Sequence, residues 1–141
     1  MSAPFIRCAC CALGLVLAVL PGCSGSPEAT QPVEGLVTYQ GEPLEGGAVL
    51  FDMVTPTGSG KRYTARARID SQGRYSLSTF GEEDGAVAGR YRVAVSGKEP
   101  VLTNEADAPP PAIPLKYSSV ETSGLAYEVV EGHNQIDIAL P

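Results

Sequence analysis

The chain has no tryptophan, one histidine and aromatic residues at only 6%. A core must therefore come from Val, Ile and Leu with a few tyrosines. His133 has no histidine partner with which to form a zinc site, and no serine stands in a motif placing it beside a histidine and an acid. Metal binding and triad chemistry both lose their usual carriers. Lysine and arginine total 10 against 16 Asp and Glu, a formal net charge of -6. That balance excludes the broad electrostatic attraction on which nucleic-acid binding depends. Long helical patterns are also missing, because 16 glycines and 12 prolines in 141 residues cut the chain into pieces suited to short strands and turns.

Cysteine is absent from everything after position 23, since the four cysteines are Cys8, Cys10, Cys11 and Cys23. The first three lie in Cys8 to Leu20, thirteen apolar or small residues behind Arg7. This length falls within the roughly 7–15 residues of a signal-peptide core. As a helix it would reach about 20 Å against a hydrocarbon layer of about 30 Å, too short to span. Leu20-Pro21-Gly22-Cys23 then resembles a bacterial lipobox, in which the cysteine sulfur receives diacylglycerol before cleavage. The resemblance implies that residues 1–22 are a lipoprotein signal peptide and that Cys23 carries the lipid, so that labelled palmitate would enter there. The alternative is an ordinary signal peptide with a chance cysteine near its end. Each buried methylene contributes about 0.8 kcal/mol, so two or three acyl chains hold a protein to a membrane where one barely does. The expected address is an exported, membrane-anchored lipoprotein facing the periplasm or cell exterior, on the outer membrane where a cell has two. Residues 23–32, small, polar and proline-bearing, read as a flexible tether to a domain over 33–140.

Within that domain two strand starts share one form, Gly73-Arg74-Tyr75 and Gly89-Arg90-Tyr91. In each, a glycine closes a turn, an arginine points to one face and a tyrosine begins an apolar row: Tyr75, Leu77, Thr79 and Tyr91, Val93, Val95. Alternation with period two after a turn signal predicts half-buried antiparallel strands. Further strands are predicted from Val33 to Tyr39, Ala48 to Met53, Tyr63 to Ile69, Leu125 to Val130 and Gln135 to Leu140, which makes the fold an all-β sandwich. Gly35 interrupts the first row, where another chain segment crosses closely. Asp70-Ser71-Gln72-Gly73 is a turn in which the Asp70 carboxylate caps amides and Gly73 takes positive φ. Glu131-Gly132-His133-Asn134 reads as a tight hairpin turn between the last two strands. Residues 79–89 read as a loop whose acids, Glu82, Glu83 and Asp84, are solvated rather than catalytic. The long 97–123 loop is stiffened by proline, with Leu115, Tyr117 and Val120 pinning its second half to the sandwich.

Basic residues cluster between positions 61 and 92. Arg66, Arg68, Arg74, Arg90 and Arg92 fall on the parity opposite the apolar rows and are expected on an outer sheet face. They either pair with cross-strand acids such as Glu34, Asp52, Glu128 or Asp137, or form a local positive patch that docks an anionic partner through bidentate contacts.

Five segments carry a family resemblance: Val33-Glu34-Gly35-Leu36-Val37-Thr38-Tyr39, Gly46-Gly47-Ala48-Val49-Leu50-Phe51, Asp70-Ser71-Gln72-Gly73-Arg74-Tyr75-Ser76-Leu77, Gly89-Arg90-Tyr91-Arg92-Val93, and the stretch from Pro114-Leu115-Lys116-Tyr117 to Thr122-Ser123-Gly124-Leu125. Together, over about Val33 to Leu140, they resemble the carboxypeptidase regulatory-like, transthyretin-like domains of small bacterial lipoproteins. The resemblance implies a seven-stranded antiparallel sandwich of prealbumin-type Greek-key topology. Relatives of this sandwich that hydrolyse hydroxyisourate use several histidines, and this chain has one. The expectation is a non-catalytic binding or structural module of the cell envelope, without cofactor or metal, whose partners are the membrane through Cys23 and an envelope protein or anionic polysaccharide. The competing classes are an extracytoplasmic small-ligand carrier and a hydrolase.

Overall fold

Val49, Phe51 and Met53 alternate with Ala48, Leu50 and Asp52 along Ala48–Met53, and only the first set is fully buried. The same alternation runs through the other long strands of the computed structural model, broken in Gly89–Ser96 only where Ala94 is buried as well; the structure describes residues 28–99 and 112–141. The signal-peptide segment, Cys23 with the first half of the tether (residues 23–27), and residues 100–111 of the long loop lie outside the described residues. In chain order the strands are β1 (Thr30–Gln31), β2 (Val33–Tyr39), β3 (Glu42–Pro43), β4 (Ala48–Met53), β5 (Thr64–Arg68), β6 (Arg74–Ser76), β7 (Ala86–Val87), β8 (Gly89–Ser96), β9 (Leu125–Val129), β10 (Asn134–Gln135) and β11 (Ile138–Leu140). A short 3-10 helix, Leu115–Ser118, precedes β9.

Two main sheets enclose one core. The first is antiparallel throughout, in the order β5-β4-β8-β9. The second is centred on β2, with β6 antiparallel at one side and β10 and β11 at the other. Val33 and Val37 of β2, Phe51 of β4, Tyr91, Val93 and Val95 of β8 and Ile138 and Leu140 of β11 meet in a single buried cluster. Fully burying a side chain of this kind stabilises by about 1.5–3 kcal/mol, so this shared interior is what holds the two sheets face to face.

Several expectations change. β10 and β11 run parallel to β2, not antiparallel. The reason lies in the turn between β9 and β10, which is no hairpin. β9 pairs with β8 in one sheet while β10 pairs with β2 in the other, so the turn carries the chain across the sandwich. Asn134, buried at 6% exposure, organises that crossing. Its Oδ1 accepts the Val130 N–H at 2.9 Å, and its Nδ2 donates to the carbonyls of Val130 and Gly132, each at 2.9 Å. Strand pairing also begins before Val33, inside the expected tether, because Thr30 and Gln31 pair with Val87 and Ala86. Gly85 makes this pairing fit: a Cβ there would stand 1.8 Å from the Gln31 carbonyl oxygen. Residues 86 and 87 of the expected 79–89 loop are therefore a buried strand. In the second half of the long loop Tyr117 packs into the core as expected, joined by Ile113, whereas Leu115 is 71% exposed.

Gly35 is crossed closely, as its place in the row implied. A Cβ at Gly35 would lie 1.9 Å from the Ile136 carbonyl oxygen and 3.0 Å from the Tyr75 ring. Tyr75 stands opposite Gly35 in the β2–β6 register, and its hydroxyl donates to that same Ile136 carbonyl at 2.6 Å. An aromatic ring thus fills the space the glycine leaves and reaches across β2 to the chain beyond it.

Candidate binding site: an arginine-lined groove

The turn Asp70–Gly73 sets up the groove. Asp70 Oδ1 accepts the N–H groups of Gln72 and Arg74 at 2.8 and 2.9 Å, and Gly73 has φ 81°, so the carboxylate and glycine act as their residue types require. Beyond the turn β5 and β6 start as a ladder, with the Asp70 N–H donating to Arg74 O at 2.9 Å, and meet again at an Arg66–Ser78 bridge. Between those points β6 turns to pair with β2 in the other sheet.

The corner where the sheets join is therefore a curved surface, and a groove of about 940 Å³ runs along it. Small residues, Ala48, Ser76 and Ser78, line it together with Arg66 and Arg68 of β5, Arg74 of β6, and the acids Glu34, Asp70, Glu82 and Glu83. The register of the Arg66–Ser78 bridge sets Arg68 opposite Ser76, so long guanidinium side chains stand beside short hydroxyls. That alternation of length is what gives the surface its depth.

The acids of the groove are partly engaged. Glu34 Oε1 lies 3.0 Å from His133 Nε2, and Asp70 is committed to its turn. Asp84, beside the groove, is held by its own loop, accepting the N–H groups of Thr79 at 2.7 Å, Gly81 at 2.8 Å and Phe80 at 3.0 Å. Desolvation would raise its pKa, but these backbone donors outweigh it and hold the carboxyl below the usual range. Of the three neighbouring acids, then, Asp84 is a structural cap, while Glu82 and Glu83 are exposed at the groove's rim.

The five arginines singled out in the sequence do not share one surface. Arg66, Arg68 and Arg74 line the groove, although Arg74 belongs to the sheet of β2 rather than the sheet of β5. Arg90 and Arg92 stand on β8, two strands away from β5 across β4. Arg92 reaches Asp52 at 4.0 Å with both side chains well exposed, and Arg90 sits opposite Glu128 in the β8–β9 register. Among the described residues, Arg66, Arg68 and Arg74 make no ion pair with a carboxylate. Asp137, another expected partner, instead accepts the Leu36 N–H and the Gln135 Nε2, each at 2.9 Å.

Three guanidinium forks in one open groove can each offer two parallel N–H donors to a carboxylate, sulfate or phosphate. Because the groove is open to water, each contact alone is weak, and several must act together. Sequence reasoning found the arginines by parity but missed the groove, whose shape depends on β6 leaving β5. It also missed Asn134, for which an Asn at the end of a glycine-containing turn was the only signal. Compared with known proteins, the chain matches no family model, no curated protein and no solved structure.

Proposed function

We propose that the chain is a lipid-anchored lipoprotein of the cell envelope whose β-sandwich is a non-catalytic binding module for an anionic envelope polymer. The observation that carries this reading is the groove of Arg66, Arg68 and Arg74, three cations without a carboxylate partner among the described residues, on a chain of formal charge -6. Four acids line the same groove, but Glu34 is turned to His133 and Asp70 is committed to its turn, so the three guanidinium groups are left to meet an anion, which supports a local docking surface rather than general stickiness. Counting β10 and β11 as one interrupted strand and setting aside the two-residue β1, β3 and β7 leaves four strands on one sheet and three on the other. This count supports a seven-stranded sandwich, as the resemblance to carboxypeptidase regulatory-like domains implies, with the last strand parallel to β2.

Two measurements test the reading. Cys23→Ala in the full chain abolishes palmitate labelling and moves the protein out of the detergent phase; palmitate still entering the variant would remove the lipobox from the argument. In the Cys23→Ala background, Arg66→Glu with Arg74→Glu abolishes sedimentation with purified envelope polymer while circular dichroism is unchanged. Binding of the unreversed chain weakens with salt as the Debye length falls from about 10 Å at 0.1 M to about 3 Å at 1 M. Retention insensitive to both charge reversal and salt would discard the groove as the docking surface.

A further inference from the structure

The loops of this sandwich are unequal in a way that points toward a surface. One end is formed by the start of β2, the 54–63 loop, the 77–88 segment and the 130–133 turn. Three of the four large hydrophobic side chains exposed among the described residues are at this end: Val54 at 37%, Phe80 at 51% and Val130 at 55%. Phe80 is braced edge-on by Tyr63, with ring centroids 5.5 Å apart, so it is held outward rather than tucked into the core. The fourth, Leu115, lies beyond the end of β8 at the opposite pole.

The chain arrives at the same end. Thr30 and Gln31 are fixed there by pairing with Val87 and Ala86, and Glu28 Oε1 accepts the Ser59 hydroxyl at 2.7 Å. Glu28 is five residues on from Cys23. Even fully extended, that length covers at most about 18 Å, less than the roughly 27 Å spanned by the eight residues of β8. A lipid on Cys23 therefore keeps the pole bearing Phe80 near the bilayer, while the opposite pole can stand clear of it.

The geometry points to a second membrane contact: the pole bearing Val54, Phe80 and Val130 rests on the bilayer surface, with Phe80 inserted among the headgroups. This rests on the proposed anchor at Cys23. The charges select the kind of lipid. Lys61 and Arg62 share this end with Glu28, Glu82, Glu83 and Glu131, so acids outnumber cations there. A mixed rim of this kind fits zwitterionic headgroups, which present a phosphate and an ammonium together, and gains nothing from a net-anionic surface. Apolar burial at the headgroup boundary then supplies the affinity, and the acyl anchor supplies the proximity. The groove runs along the side of the sandwich with Glu82 and Glu83 at its membrane-facing end, so this orientation leaves Arg66, Arg68 and Arg74 reachable from the side.

The absence of tryptophan makes the test direct. The full chain carrying F80W, matured with its acyl label and reconstituted into phosphatidylethanolamine–phosphatidylcholine vesicles, contains a single reporter. Its emission should shift to the blue and be quenched severalfold by lipids brominated high on the acyl chain. L115W, prepared identically, should show neither change. Substituting anionic lipid for part of the mixture should not increase the quenching. Acyl-labelled, membrane-retained F80W with water-exposed, unquenched emission would overturn this inference and leave the anchor standing. A wild-type chain without acyl label would overturn the anchor and this inference together. A blue shift that depends on protein concentration and ignores lipid bromination would assign the patch to a second copy of the chain and overturn the membrane contact.

Discussion

Gly73-Arg74-Tyr75 and Gly89-Arg90-Tyr91 are the same tripeptide in two settings. Both tyrosines are buried near Phe51, with ring centroids 6.3 and 5.8 Å from it, and both arginines face out. Both hydroxyls also find a backbone carbonyl, as a buried phenol must. The carbonyls differ in kind. Tyr91 donates to Val87 at 2.7 Å, four residues back in its own chain segment, whereas Tyr75 donates to Ile136, 61 residues on. Tyr91 sits in the eight-residue β8, flanked by β4 and β9, while Tyr75 sits in the three-residue β6. The motif dictates which side chain turns inward. The rest of the chain decides whether that side chain completes a local strand start or bolts β6, β2 and the closing segment together.

The largest expected effect breaks the Tyr75 setting at its base. Gly35→Ala forces a methyl to within 1.9 Å of the Ile136 carbonyl oxygen and 3.0 Å of the Tyr75 ring. Backbone cannot yield as a side-chain tip can, so the β2–β10 contact must open, at a cost of about 3 kcal/mol or more. Chemical denaturation of the variant checks this; a loss below about 1 kcal/mol would show that the crossing adjusts freely.

Next come the hydroxyls. Tyr75→Phe leaves a buried carbonyl without its donor and should cost about 1–2 kcal/mol. Tyr91→Phe should cost less, because Val87 lies at the end of a short strand in a loop-rich segment that can readjust. Burial raises the pKa of Tyr75, with Tyr127 and Asp137 adding to the effect, and burial pushes Tyr91 up to about 12. A raised folded-state pKa means that folding favours the neutral phenol. This contribution is complete below the free phenol's value of about 10 and is lost as pH rises through the folded-state values. Wild-type stability should thus fall above about pH 10, and Tyr75→Phe should flatten that fall more than Tyr91→Phe does. Equal flattening by the two would erase the distinction between the settings.

How much of this was legible follows from which interactions are local. The inward rows of β2, β4, β5, β8 and β11 obey period two and could be read directly, and the Asp70 cap and Gly73 φ follow from their own turn. Gly35 announced a close crossing but not the identity of the crossing segment, because a missing Cβ carries no partner's name. The parallel pairing of β11 with β2 was hidden, since strands of similar alternation are compatible with either direction until the 130–133 crossing is known. The groove was hidden for the same reason. Parity placed three arginines outward, but their convergence arises from β6 leaving one sheet for the other. Ala86 and Val87 were too short a run to signal a strand without Thr30 and Gln31 beside them.

The smallest effect on stability concerns the arginines of the two tripeptides, and there the comparison separates stability from binding. Arg74 and Arg90 are both exposed, and neither makes an ion pair with a described carboxylate, so Arg74→Ala and Arg90→Ala should each change stability by no more than about 0.5 kcal/mol. Only Arg74 lies in the groove with Arg66 and Arg68; Arg90 borders a separate small hollow with Pro56 and Glu128. If the groove docks an anionic polymer, Arg74→Ala removes one of its three bidentate forks and should weaken binding about tenfold, corresponding to a charge-assisted contact of about 1.4 kcal/mol. Arg90→Ala should leave binding unchanged. Both affinities are measurable by co-sedimentation at one low ionic strength, since raised salt would shrink the difference. An equal loss from both substitutions would mean that the polymer reads overall charge rather than the groove, and that the two settings of the tripeptide, distinct in packing, are equivalent in binding.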